Sequence, residues 1–148
     1  MIKRTWNKRS LGKADGFTLL EVMIVVAIVA ILAAIAYASY QGQITKSRRS
    51  AGAGCLQERA QFMERYYTTY LTYNDATTPP VIQQCDTEVS PHYQVSLVAG
   101  SAGTKTFTLQ AVPQGGQATS DTLCGTLTVD AQGVRTESGT AANATECW

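Results

Sequence analysis

Few residues in this chain have types and spacing that could do chemistry. Glu21 is the one charge in the 24 residues from Phe17 to Tyr40, FTLLEVMIVVAIVAILAAIAYASY. A carboxylate in an apolar span costs about 2.5–3.5 kcal/mol at mid-bilayer and less near the interface. Glu21 could lie at headgroup level and complement the dipole of a helix start. Alternatively it meets a cation. A cut between Gly16 and Phe17 would create one, a new α-amino group four residues before Glu21. The two groups could pair within one helix or between neighbouring helices, which would set a register between subunits. Four cysteines stand at 55, 85, 124 and 147, with no CxxC spacing, and His92 is the one histidine. That pattern argues against zinc. An even count in an exported chain points to two disulfides, and three pairings are open. Asp121, Asp130 and Glu137 are scattered in turn-like sequence without DxDxDG spacing. Asn143-Ala144-Thr145 has the form of a sequon. No GxSxG, phosphate loop, HExxH or dinucleotide fingerprint occurs, so the reading is not an enzyme, with no catalytic residue, metal or cofactor.

The elements that must position these groups follow from the charge pattern. The chain has 148 residues, a prior for one compact domain. Charged residues make up 16%, below the roughly 25% of a globular average. Residues 1–16 carry five bases (Lys3, Arg4, Lys8, Arg9, Lys13) against Asp15, whereas residues 17–148 carry seven bases and ten acids. A 24-residue helix is about 36 Å long, enough for a hydrocarbon core of about 30 Å. The basic leader keeps the N-terminus cytoplasmic and places the rest outside. A cleaved signal peptide competes, because Ala36-Tyr37-Ala38 fits a small-x-small site before Ser39. The apolar run exceeds the usual h-region, which favours an anchor. The mildly acidic remainder is poor material for electrostatic nucleic-acid binding.

Past the span, Leu56, Ala60, Met63, Tyr67 and Tyr70 step by 4, 3, 4 and 3, one apolar helical stripe running toward residue 73. Lys46-Ser47-Arg48-Arg49 reads as a basic patch facing headgroups or solvent, with a subunit contact or a DNA-facing groove as the functional rivals. Asn74-Asp75 and Pro79-Pro80 end the helix and open a loop. Alternating segments at 92–98 and 106–112, a Gly-rich loop at 114–121, and further strands at 125–130 and 133–136 predict an antiparallel sheet of about four strands. One wet face and one face on the helix make the fold α+β. The shape expected is a lollipop, with an apolar membrane-spanning stalk whose outer half packs on a small head.

Gly16-Phe17-Thr18-Leu19-Leu20-Glu21 followed by the apolar run resembles the class III signal of type IV pilins and pseudopilins. The head, from CLQERAQFMERYYTTYLTY through CGTLTVDAQGVRTESG to Cys147-Trp148, looks like the PilE-type minor pilins. The resemblance implies a domain plan. Residues 1–16 are a leader removed by prepilin peptidase, 17–40 the transmembrane and assembly half of the helix, 41–73 its amphipathic half, and 74–148 the αβ-loop, sheet and stapled C-terminal region. It implies cleavage after Gly16, N-methylation of Phe17, and Glu21 pairing with a neighbour's Phe17 amine during assembly. It implies the pairing Cys55–Cys85 and Cys124–Cys147. The partners implied are other pilin subunits, the peptidase, the inner-membrane assembly machinery and the membrane itself. The precursor is then a single-pass inner-membrane protein with its C-terminal part in the periplasm, and the product is extracellular. Two departures stand out: the leader is 16 residues long, and Ala38 occupies a position where relatives have Pro. Loosening of the helix would then fall to Gly42, Gly52 and Gly54. Related pseudopilins hold calcium in such C-terminal loops, but the spacing here does not favour it. The rival functions are a DNA-binding pilin for natural transformation and a type II secretion pseudopilin. Beyond residue 65 only Lys105 and Arg135 are basic, which weighs against DNA.

Overall fold

The computed structural model describes residues 16–148, so the expected leader lies outside the described residues except for Gly16. Helix α1 spans Leu19–Tyr70, 52 residues. It starts at Leu19 because Thr18 caps it: the Val22 N–H donates to the Thr18 carbonyl and the Glu21 N–H to Thr18 Oγ1, both at 3.2 Å. The helix runs unbroken through Gly42, Gly52 and Gly54. The expected loosening at these glycines is therefore absent. It stops short of residue 73, since Leu71 turns left-handed at φ 56°. The Leu71 N–H still reaches the Tyr67 carbonyl at 2.8 Å, and the Tyr73 N–H goes instead to Gly103 O at 3.1 Å.

The described chain forms two compact units that divide after Ala38. In the first, every described residue is exposed. Its helix is long and apolar enough to cross a membrane, with mean hydropathy 3.0 over an 18-residue window. The second unit, Ser39–Trp148, holds the outer half of α1 against a four-stranded antiparallel sheet in the order β1-β2-β3-β4. The strands are β1 Tyr93–Leu97, β2 Thr108–Pro113, β3 Leu127–Asp130 and β4 Arg135–Glu137. Val95 pairs with Ala111, Ala111 with Leu127, and Leu127 with Glu137. The inward residues Tyr93, Val95, Leu109, Ala111, Leu127 and Val129 are buried with Leu56, Met63 and Phe107. This is the period-2 pattern of a half-wet sheet.

The helical stripe is offset from the expected one. Leu56 and Met63 are fully buried, Ala60 and Tyr67 partly so, and Tyr70 is exposed. Tyr66, outside the stripe, is buried with its hydroxyl donating to Thr78 O at 2.6 Å. The helix turns away at Leu71, so Tyr70 in the last turn has no sheet beneath it, while the loop at Thr78 covers Tyr66. Gly52 is there for contact. A methyl at this position would stand 2.9 Å from the Tyr93 ring, so only glycine lets β1 approach α1. The 114–121 segment, read as a loop, contains a short helix α2, Gly115–Ser120. The disulfides Cys55–Cys85 and Cys124–Cys147 are formed, with Cα separations of 5.9 and 5.6 Å. The first ties α1 to the loop after it. The second ties the C-terminal 3-10 turn, Ala144–Glu146, to the loop before β3.

Candidate functional site

The apolar helix start and a buried polar cluster in the head are the two places with unusual chemistry. At the first, Gly16, Phe17 and Thr18 precede the helix, and Phe17 is 83% exposed. Thr18 and Glu21 stand in the T-x-x-E spacing of a capping box, a helix-start signal present in the sequence itself. The hydrogen bond from the Glu21 N–H to Thr18 Oγ1 fixes Glu21 in the first turn, where the helix dipole favours a carboxylate. Phe17, Glu21, Val22, Val25 and Val26 line one open cleft of about 290 Å³. Among the described residues, the ion pair observed is Arg49–Asp121, and Glu21 makes none. The helix start is thus an exposed apolar surface carrying one negative charge, suited to a cation arriving with an apolar neighbour.

The second place overturns part of the basic-patch reading. Arg49 is buried, and its Nε donates to Asp121 Oδ2 at 3.0 Å. Its Nη1 donates to Cys124 Sγ and, at 3.4 Å, to the Glu146 carbonyl. The same Asp121 oxygen accepts from the Tyr93 hydroxyl at 2.8 Å and from Gln117 Nε2 at 3.3 Å. Gln117 Nε2 also reaches the Thr45 carbonyl at 3.0 Å. The cluster therefore joins α1, β1, α2 and the stapled C-terminal segment. Burial first, then the hydrogen bond to the Asp121 carboxylate, drives the Tyr93 phenol pKa upward. A separate aromatic group holds the far end of α1: Tyr73 stacks on Tyr67 at 4.7 Å and donates to Glu64 at 3.0 Å. Burial and that carboxylate push the Tyr73 pKa up to about 12.

Extending the stripe backward through Ala53 lands on Arg49, which is buried, whereas Lys46, one step further along the same stripe, is exposed and Arg48 is half-buried. Asp121, read as a turn residue, sits at the end of α2 with its side chain fully buried. Asp130 caps its own turn, accepting from the Gln132 and Val134 N–H groups. Among the described residues no group of three His, Cys, Asp or Glu could hold a metal. His92 is half-buried, and its carbonyl accepts from the Gln114 N–H. Trp148 packs at the sheet margin, its Nε1 donating to Thr136 O at 3.3 Å and the Arg135 guanidinium 5.2 Å above its ring.

A long helix with an exposed apolar first half, and an outer half laid on an antiparallel sheet closed by a C-terminal disulfide, defines a type IV pilin. The family described as type IV minor pilin ComP, DNA uptake sequence receptor, matches residues 38–128, and the prokaryotic N-terminal methylation motif matches residues 12–37. The chain belongs to this minor pilin family and is a structural subunit of a pilus. It is similar to the non-core minor pilin PilV of Neisseria meningitidis, seen in a selenomethionine crystal structure. The two share 25% identity with a TM-score of 0.52, over 70% of this chain and 95% of that one. No curated protein matches the sequence.

Proposed function

We propose that the chain is held in the inner membrane as a single-pass precursor with its head in the periplasm. Prepilin peptidase then cuts it after Gly16 and methylates Phe17, and the assembly machinery packs it helix to helix into a pilus. Glu21 sets the axial register by pairing with the Phe17 amine of an adjacent subunit. The observation that carries this reading is the helix start itself. One carboxylate is fixed in the first turn of a fully exposed apolar surface, four residues after the residue whose amine the cut would free. The peptidase, the other pilins and the membrane are the partners of this scheme, and the activity is structural, not catalytic.

The test separates the two roles. Gly16→Ala is expected to leave an uncut precursor, read by intact mass, whereas Glu21→Ala is expected to be cut and methylated normally but lost from sheared pili. Normal incorporation of Glu21→Ala would remove the register role, and a cut Gly16→Ala would move the processing site. One observation favours a second reading, DNA reception, namely the family's own description. Against it, the bases beyond residue 65 are only Lys105 and Arg135, both exposed, facing seven acids from Asp75 to Glu146. Binding of duplex DNA by the full chain, titrated with salt, decides it: phosphate neutralisation would give a linear fall of log affinity with log salt.

A further inference from the structure

The sheet has an edge at β1, and one side chain closes it. The Val98 N–H bonds the Thr108 carbonyl and the Gln114 N–H bonds the His92 carbonyl, so the even residues of this segment spend their main chain on β2. The odd residues turn theirs outward. A bare strand edge of this kind is a template for another chain. At Tyr93 the outward N–H is taken by the Val89 carbonyl of the preceding turn, at 2.9 Å. At Val95 both groups are taken by Gln84, whose Oε1 accepts from the Val95 N–H at 3.0 Å and whose Nε2 donates to the Val95 carbonyl at 2.7 Å. A primary amide carries the same donor and acceptor as a peptide group, so Gln84 stands where a residue of an adjacent strand would stand. Its neighbour Cys85 is bonded to Cys55 in α1, which fixes the loop bearing it.

We propose that Gln84 is a surrogate strand residue covering a latent self-pairing edge, and that the occupant it excludes is β1 of a second copy. The argument for a second copy is the symmetry of the bonds. Two β1 strands meeting antiparallel at Val95 exchange the N–H and carbonyl of each Val95, the same two groups that Gln84 engages. The opposite edge offers this pairing little length, because β4 has three residues. The Cys55–Cys85 bond is the device that keeps the cover in place before assembly. This inference concerns the head's edge and stands whether or not the Glu21 register holds.

The experiment uses the full chain in detergent micelles, with amide exchange and sedimentation read together. At low concentration Gln84→Ala is expected to raise exchange at the Val95 amide about fivefold, the loss of one net hydrogen bond, with the Gln94 and Ser96 amides unchanged. At higher concentration it is expected to self-associate beyond the wild type and to recover Val95 protection. Gln84→Glu keeps an acceptor for the Val95 N–H but puts charge on the edge, so it is expected to keep most of the protection and to associate no more than wild type. Cys55→Ala with Cys85→Ala is expected to behave as Gln84→Ala does. Unchanged Val95 exchange in Gln84→Ala overturns the proposal, as does association no greater than wild type once Val95 is exposed. Should Gln84→Ala lose protection at Gln94 and Ser96 as well, the head has unfolded and Gln84→Glu decides: association of that variant above wild type refutes the edge.

Discussion

The two halves of one helix obey opposite rules. From Leu19 to Ala38 every residue is exposed, including Val22, Ile24, Val25, Ile28, Ile31, Leu32 and Ile35, each with more than half of its surface open. From Arg49 to Tyr66 the same helix buries Gly52, Ala53, Cys55, Leu56 and Met63 against its own sheet. Backbone geometry does not distinguish the halves, since both are continuous α-helix. What differs is where the apolar partner comes from. The outer half finds it in the head of the same chain, so its sequence is amphipathic. The first half buries none of its described residues, and it is apolar on all sides, the pattern of a helix whose apolar partners lie outside the chain.

That contrast makes the head the seat of this chain's own stability, and mutations should respect it. Arg49→Ala leaves Asp121 buried without its cation and is expected to cost the head about 3–5 kcal/mol. A denaturant melt of the full chain in micelles checks it, and Arg49→Met with Asp121→Leu should recover much of the loss. Gly52→Ala pushes a methyl into the Tyr93 ring and is expected to cost about 1–3 kcal/mol on the same melt. Leu71→Gly removes left-handed strain at a 74% exposed side chain and is expected to stabilise the head by up to about 1 kcal/mol. Glu21→Ala should leave the head's melting midpoint where it was, and a shift as large as that of Gly52→Ala would break the comparison.

A pH scan sharpens it. The Tyr73 pKa is raised from 10 to about 12 in the folded chain, so the neutral phenol is the form the fold prefers. Its contribution is whole below pH 10 and is lost as pH rises from 10 through about 12. Tyr93 shifts in the same direction and adds to the loss. The alkaline fall should appear in the head's melt, and Tyr73→Phe should reduce it to the part that Tyr93 carries.

Much of this was legible from residue order alone. A 24-residue run with one charge announces a helix long and apolar enough to cross a membrane, and alternating segments separated by Gly and Pro announce the strands. Arg49 was harder, because it sits in a basic quartet that reads as a solvated face. Its burial depends on Asp121, 72 residues away, and a long-range partner leaves no local signature. Gln84 was invisible for the same reason: a polar residue in a polar loop acquires meaning only when β1 folds 11 residues later and turns Val95 toward it. The α2 helix was missed because Gly115 and Gly116 read as loop, while the turn of helix there exists to deliver Gln117 and Asp121 into the core.

The cap at Thr18 has a consequence for the proposed cut upstream of it. Proteases bind their targets as extended strands, and a scissile bond wound into a helix would first have to be unravelled. By ending the coil at Leu19, the threonine hydroxyl leaves Gly16, Phe17 and itself uncoiled, two steps from the greasy rod. The threonine thus marks where the rigid rod begins and keeps the proposed Gly16–Phe17 cut outside it.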